Sequence, residues 1–187
     1  MAQPGTGRRT YERVSDWPEM PKGETLGVVS RVATDSQDRV YVFQRKDPPV
    51  VVFDRDGNYL ASWGTGAVAE GQFHLPHSIA IGADGKLYVA DRANKRIQIF
   101  SPDGEVLGMW TGMGGPNDIT LGKDGVFYIA EQEDGDKPAY ICVRDGDGNV
   151  LARLETRHVH GVGVDSRGDV YAGLTVDKSV DKFVRVS

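Results

Sequence analysis

One segment of twelve residues occurs four times in the chain, and it constrains the fold more than any other feature. The copies align without gaps and each ends in a tyrosine; they are residues 30–41, 77–88, 117–128 and 160–171. Their tyrosines lie 47, 40 and 43 residues apart. This period is typical of a propeller blade of four short strands, and it is too long for a leucine-rich repeat.

Alternating apolar residues indicate the strands within each repeat. In the second repeat Ile79 and Ile81 share one face, and Ile97 and Ile99 do the same further on, as half-buried strands require. Asp-Gly pairs between such runs are typical of tight hairpins, because glycine tolerates a positive φ. The pairs are Asp56-Gly57, Asp84-Gly85, Asp103-Gly104, Asp124-Gly125 and Asp147-Gly148. We therefore predict an all-β fold, a four-bladed β-propeller.

The last repeat has no fourth strand of its own. Residues 11–17 match the fourth-strand pattern of residues 58–63, so we expect this N-terminal strand to complete the last blade and close the ring. The alternative is an open arc of four blades that completes itself by dimerising. We predict a single domain with a closing strand and lead-in at residues 10–25 and repeats at 26–73, 74–114, 115–157 and 158–187.

Net charge and cysteine content limit the binding partners and the cellular compartment that we expect. The net charge is −5, which gives no electrostatic reason to expect binding to nucleic acid or to an anionic membrane. A single cysteine, Cys142, excludes an internal disulfide and fits a reducing compartment. No apolar run resembles a signal peptide or is long enough to span a bilayer. We expect a cytoplasmic monomer or homodimer that acts on a small molecule.

The four histidines all lie near the start of a first strand, which in propellers lines the central channel. His77 and His160 occupy the same repeat position, where the other two repeats carry the channel-lining residues Ser30 and Asn117. The remaining two, His74 and His158, lie just upstream at the rim. Because imidazole suits divalent transition metals, we predict that these histidines hold such an ion. The alternative is that they are ordinary polar side chains.

The second strand of each blade runs antiparallel to the first, so we expect polar residues at its end to lie at the same mouth of the channel. Arg45 is a candidate for binding a carboxylate or a developing oxyanion. Either Glu131 or Asp91 is a candidate general base. For the segment around Asp91 a structural role is the alternative, since Asp91, Asn94 and Arg96 can hold a turn together.

These features carry a family resemblance over most of the chain. The stretches are residues 32–45 (VATDSQDRVYVFQR), 71–77 (GQFHLPH), 89–100 (VADRANKRIQIF) and 159–171 (VHGVGVDSRGDVY). They resemble the NHL-repeat family of propellers and, more closely, bacterial relatives of peptidyl-α-hydroxyglycine α-amidating lyase. That lyase has six blades, whereas this chain reads as though two were absent between Trp63 and Gly71.

The resemblance implies a zinc site and a lyase-type reaction. By position His77 and His160 are similar to two of the zinc-binding histidines of the lyase, and Arg45 to its substrate-binding arginine. The third zinc histidine and a catalytic tyrosine have no counterpart here, and Gly161 stands where the lyase has an aspartate. We therefore expect a metal-dependent lyase-type enzyme, zinc being the expected metal, that performs elimination, hydration or rearrangement of a small oxygenated substrate. The alternative is a non-catalytic propeller that binds a peptide or small ligand.

Overall fold

The computed structural model describes residues 13–186, and every regular element in that range is a β-strand. Blade 1 comprises β1 (Val29–Thr34), β2 (Val40–Gln44), β3 (Val50–Phe53) and β4 (Tyr59–Trp63). A linker with two short parallel strands follows, β5 (Thr65–Gly66) and β6 (Gln72–Phe73). Blade 2 comprises β7 (Pro76–Ile81), β8 (Leu87–Asp91), β9 (Arg96–Phe100) and β10 (Val106–Trp110).

Two further blades complete the arrangement. Blade 3 comprises β11 (Pro116–Leu121), β12 (Phe127–Glu131), β13 (Ala139–Arg144) and β14 (Val150–Thr156). Blade 4 comprises β15 (Val159–Val164), β16 (Val170–Leu174) and β17 (Ser179–Phe183). Strands pair antiparallel in chain order within each blade. The prediction of an all-β fold with four propeller blades is confirmed. No helix that could span a membrane is found within residues 13–186.

The first strands of successive blades lie side by side, as expected for strands that line a channel. β1 packs on β7, β7 on β11 and β11 on β15. The ladder of each first strand shifts register after its first residue, for example between Pro116 and Asp118 in blade 3. Such a bulge increases the local twist and re-aims the side chains beside it. The residues that open the repeats lie at this shift in all four blades.

The core consists of layers between blades rather than one central mass. Between blades 1 and 2, the ring of Trp63 lies 4.7 Å from that of Phe100, with Phe73 alongside. Between blades 2 and 3, Trp110 lies 5.3 Å from Phe127. Aromatic pairs at these separations add to the stability that burial of their area supplies.

A tryptophan over a glycine turn recurs at successive blade interfaces. Trp63 covers Gly104 in blade 2, and Trp110 covers Gly148 in blade 3. Both glycines have a positive φ, and a Cβ at either position would meet the indole within 3 Å. Glycine is therefore required twice, by the turn conformation and by the close approach of the ring.

The N-terminal segment does not form the predicted closing strand within the residues described. Trp17 lies against Phe53 of blade 1, 6.1 Å between ring centroids, and Glu19 bridges Asn58. Residues 13–25 contain no strand paired with β17, whose sheet has three strands in the described range. Residues 10–12 of the predicted strand lie outside the described residues. The contact surface that joins other successive blades does not link blade 4 to blade 1 among residues 13–186.

The reason for this placement is the free face of blade 1. Phe53 and Val51 of β3 are buried although no blade precedes them among residues 13–186. Met20 and Leu26 of the lead-in pack against them and remove this apolar surface from water. Trp17 adopts the contact of a fourth-strand tryptophan, because it covers the turn glycine Gly57. The sequence match of this segment to a fourth strand agrees with the packing of Trp17 over a turn glycine, whereas the expected pairing with the last blade is not seen among residues 13–186.

We expect Trp110→Ala to lower the free energy of unfolding by about 3–5 kcal/mol, because a large core side chain leaves a cavity between blades 2 and 3. Trp17→Ala should cost less, since 37% of Trp17 is already exposed whereas 7% of Trp110 is. Urea denaturation of both variants measures the difference. An equal loss for the two would contradict the interface packing described here.

Candidate functional site at the channel mouth

His77 and His160 come together at one end of the channel. Their ring centroids lie 5.7 Å apart with an interplanar angle of 61°. They belong to the first strands of blades 2 and 4, so the curvature of the arc brings them close across one intervening blade. The sequence prediction that equivalent repeat positions converge on the axis is realised for this pair.

Hydrogen bonds assign the neutral form of the His77 ring. Its Nδ1 lies 2.9 Å from the carbonyl oxygen of Leu75, which only accepts, so Nδ1 carries the proton and donates. Its Nε2 lies 3.0 Å from Nη1 of Arg92, which only donates, so Nε2 accepts. Arg92 is itself oriented by a hydrogen bond of 2.9 Å from its Nε to Oε1 of Gln132.

The electrostatic setting favours neutral His77. Burial lowers the pKa of His77 below its ordinary value of 6.5, and the positive charges of Arg92 and Arg45 lower it further. The hydrogen bond to the Leu75 carbonyl opposes this shift in part. The His77 ring is therefore mostly unprotonated near neutral pH and can act as a base.

Open space flanks the histidine pair on both sides. Toward blade 1, a cavity of about 300 Å³ is lined by Arg45, Asp47 and His74 among others. Toward the free side of blade 4, an open groove of about 430 Å³ is lined by His160, Thr175 and backbone glycines. A small molecule in the cavity would lie beside the Arg45 guanidinium and the His74 imidazole, and one in the groove would lie beside the His160 imidazole and the Lys178 ammonium.

Arg92 was not predicted as a site residue, since its surroundings indicated a structural turn. The turn is real, but it is held by Asp91, whose Oδ2 accepts from Arg96 Nε and Asn94 Nδ2 at 2.8 Å each. The Arg92 side chain points instead to His77. Alternation along the strand end supplies the signal that could have found it, because consecutive residues point to opposite sides.

Asp91 and Glu131 do not reach the mouth. Each ends a second strand and turns outward to accept a hydrogen bond from the backbone of the loop before the first strand. Asp91 accepts from the amide of His74 at 2.7 Å, and Glu131 accepts from that of Gly114 at 3.4 Å. Gln44 does the same for Gly27 in blade 1. These side chains fix the loops that lead into the channel.

This placement removes the structural basis for the predicted role of Asp91 as a general base. The residue is fully buried, and donors from His74, Asn94, Arg96 and Gln98 occupy its two oxygens. A carboxylate held in this way has no access to a substrate from which it could take a proton.

Glu131 accepts fewer hydrogen bonds than Asp91 does. It is 2% exposed, and its Oε1 has no hydrogen-bond partner. Burial raises the pKa of Glu131 above its ordinary value, and donors from Cys142 and Gly114 offset part of this shift. The side chain lines a separate pocket of about 240 Å³ beside Met113 and Tyr140, away from the histidine pair.

Asp118 connects the blades along the channel, and nothing in the sequence pattern predicted this role. Its Oδ1 accepts from Ser78 Oγ at 2.7 Å, and its Oδ2 accepts from the Val162 amide at 3.1 Å. Arg31 Nη1 of blade 1 lies 3.8 Å from the same carboxylate. One side chain of blade 3 thus contacts all three other blades. The equivalent positions differ in every repeat, so the repeat pattern gave no signal.

The other predicted residues take separate positions. Asn117 is buried and donates to the Val159 carbonyl at 2.7 Å, which ties blade 3 to blade 4. Ser30 donates to the Phe43 carbonyl within its own blade. His158 lies at the exposed rim, 3.2 Å from Asp177. His74 is exposed and lines the cavity beside Arg45.

The donor set does not fit a divalent cation in this arrangement. No group of three or more His, Cys, Asp or Glu side chains that could hold a metal ion occurs among residues 13–186. Arg92 occupies the Nε2 lone pair of His77 and places a positive charge where an ion would sit. The predicted metal centre at His77, His160, His74 and His158 stays a prediction, and no step below passes through it.

Comparisons with known proteins agree with the fold. Residues 73–100 match the model of the NHL repeat. No curated protein matches the chain by sequence. The resemblance to the α-amidating lyase is not shown by these comparisons.

Several solved propellers are similar in structure. Virginiamycin B lyase from Staphylococcus aureus matches with a TM-score of 0.62 at 14% identity over 85% of this chain and 56% of that chain. A protein proposed to be a gluconolactonase matches with a TM-score of 0.67 at 13% identity, over 89% and 65%. The WD40 propeller domain of Doa1 matches with a TM-score of 0.65 at 14% identity, over 85% and 51%. The chain spans between about half and two thirds of the length of these proteins.

We expect Arg92→Gln to raise the pKa of His77 toward 6.5, because it removes the positive charge that opposes protonation. NMR titration of the imidazole resonances in the parent and the variant measures the shift. Arg167→Gln, a change of the same charge on the exposed turn of blade 4, is the control and should leave His77 unchanged. An unchanged midpoint in Arg92→Gln would contradict the contact.

Glu131→Gln should make the protein more stable at neutral and alkaline pH. A carboxyl whose pKa is raised by folding contributes stability at low pH and loses it as pH rises through the folded pKa. Gln44 shows that an amide fits the equivalent position in blade 1. Denaturation as a function of pH should therefore show the parent losing stability relative to Glu131→Gln above about pH 4.5, the ordinary pKa. Parallel curves would contradict the raised pKa.

Proposed function

We propose that the mouth is the active site of a lyase-type enzyme for a small oxygenated carboxylate. The observation that carries this proposal is the contact between neutral His77 and Arg92, with the His160 ring beside them. A base of lowered pKa next to a fixed cation is the pairing needed to remove a proton adjacent to a carboxylate. Two of the similar propellers, virginiamycin B lyase and the proposed gluconolactonase, are described as enzymes.

Arg92 is the residue that binds the carboxylate. A planar guanidinium can donate two parallel hydrogen bonds to a carboxylate, and the same contact draws it away from His77. Nε2 of His77 then becomes free to act as a base. Arg45 adds a second positive charge at the edge of the adjoining cavity. Substrate binding therefore switches the base on and places it next to the reacting carbon.

The reaction proceeds as an elimination in this proposal. Nε2 of His77 takes the proton from the carbon next to the carboxylate, and the electron pair of that C–H bond forms the new carbon–carbon double bond. The bond from the next carbon to its oxygen substituent breaks. An N–H group of the His160 ring gives a proton to the departing oxygen. Arg92 stabilises the negative charge that develops on the carboxylate.

The comparison with virginiamycin B lyase supports a histidine in this role. A variant of that enzyme with alanine in place of a histidine is catalytically inactive, and its structure with quinupristin matches this chain with a TM-score of 0.60 at 14% identity. The likeness is one of fold, so the histidine role is carried here by the geometry at His77 and His160.

The test is turnover of small carboxylates that carry a hydroxyl or ester oxygen on the second carbon from the carboxylate. Formation of an α,β-unsaturated acid is followed by its ultraviolet absorbance. His77→Asn should lower kcat by about 10²–10⁴-fold, the usual contribution of a general base. His158→Asn, a change at an exposed rim histidine outside the pair, is the matched control and should retain activity.

The two arginines should separate kinetically. Arg92→Gln is expected to lower kcat and raise KM, because Arg92 acts on both the substrate and His77. Arg45→Ala should raise KM by about tenfold or less and leave kcat near the parent value, since an exposed charge contributes modestly. Saturable ligand binding without turnover in the parent would favour the binding-propeller alternative and overturn the proposal.

A further inference from the structure

The interface between blades 3 and 4 departs from the other blade interfaces in what fills it. In the first interface the ring of Trp63 lies among Tyr41, Phe73 and Phe100. In the second, the ring of Trp110 lies 5.1 Å from Tyr88 and 5.3 Å from Phe127. Each of these interfaces is thus built around an indole ring that the preceding blade supplies.

The strand registers identify the corresponding residues of the third interface. Leu154 pairs with Ile141 as Trp110 pairs with Ile97, so Leu154 stands in the place of the tryptophan. Val170 begins its second strand as Phe127 does, so a valine stands in the place of the phenylalanine. The tryptophan of both other interfaces is therefore replaced by a leucine, and Val170 is smaller than either Leu87 or Phe127 at the same position.

A cavity of about 290 Å³ lies at this position. Its walls are mainly apolar, and they include Tyr128, Leu154, Val170 and Phe183. Leu154 stands in the place of the indole, whereas Tyr128 and Phe183 are the equivalents of residues that surround an indole elsewhere, Tyr88 and Phe100. An apolar cavity of about 150 Å³ holds benzene, so a space of this size admits a two-ring aromatic group.

The cavity is separate from the channel mouth. Its open side lies by the turns between first and second strands, where Asp124 and Gly168 line it. Those turns are at the end of the first strand opposite to His77 and His160. Arg185 and Asp124 form an ion pair of 3.3 Å at the rim. A ligand here would not contact the proposed catalytic residues.

We propose that this cavity is a binding site for a planar two-ring aromatic group of the indole type. The chain contains three tryptophans, and all three cover turn glycines elsewhere, at Gly57, Gly104 and Gly148. None of them is left to fill the third interface. The two filled interfaces show what the surrounding residues accept, because the same fold positions enclose an indole there. An aromatic ring in the cavity would bury the apolar side chains at its edge, of which Leu151 is 56% and Val184 is 61% exposed among residues 13–186.

Calorimetric titration of the purified full chain with indole tests the proposal. We expect saturable binding of one indole per chain and a rise in Tm that grows with indole concentration. Leu154→Trp should fill the cavity from within, raise Tm without ligand, and weaken indole binding at least tenfold. Leu107→Trp is the control. Leu107 is an exposed residue on the fourth strand of blade 2, so this change adds an indole outside the cavity, and the variant should bind indole as the parent does.

A second variant that fills the cavity keeps the test decisive if Leu154→Trp does not fold. Val170→Phe restores the residue found at Phe127 and should also weaken indole binding. Absence of saturable binding to the parent would overturn the proposal, as would equal binding by Leu154→Trp and Leu107→Trp. Dimerisation of the parent that Leu154→Trp abolishes would assign the cavity to a second copy of the chain, and it would also overturn the proposal.

Discussion

Indole rings packed over turn glycines join blade 1 to blade 2 and blade 2 to blade 3. A single four-stranded sheet buries too little apolar surface to be stable, so each blade needs its neighbour. Trp63 and Trp110 hold successive blades at a fixed distance because the glycine under each ring allows one close approach. The first strands then lie side by side and form a channel. This spacing fixes His77 relative to blade 3, whereas blade 4 with His160 is joined to blade 3 by hydrogen bonds from Asn117 and to Asp118.

The need of each blade for apolar cover also explains the difference between the two ends of the arc. Blade 1 has no preceding blade among the described residues, and the lead-in covers its free face with Met20 and Leu26. Blade 4 exposes Val180 and Val176 on strand and turn, and its sheet contains three strands in the described range. The difference arises because apolar side chains of the lead-in lie close to the first blade in sequence. No such segment follows blade 4 within residues 13–186.

The channel mouth combines a rigid support with a small number of unpaired charges. Gln44, Asp91 and Glu131 each anchor the loop that leads into a first strand, and Asp118 ties the strands together lower in the channel. Arg92 can therefore face His77 without collapse of the surrounding loops. A guanidinium beside an imidazole disfavours a bound cation and favours an anionic ligand. This charge arrangement, rather than the number of histidines, decides the chemistry that the mouth supports.

The sequence by itself determined the repeat, the strand alternation and the hairpin turns, because these depend on the local period of apolar residues and on glycine. It also determined that His77 and His160 share one position in the fold, since equivalent repeat residues occupy equivalent places. Only the tertiary structure decided which side chains at the strand ends turn inward. Asp91 and Arg92 are neighbours in sequence, yet one is buried under a loop and the other faces His77. The pleat sends consecutive residues to opposite sides, and the side that each one faces is fixed by contacts with His74 and His77, which belong to a different segment of the chain.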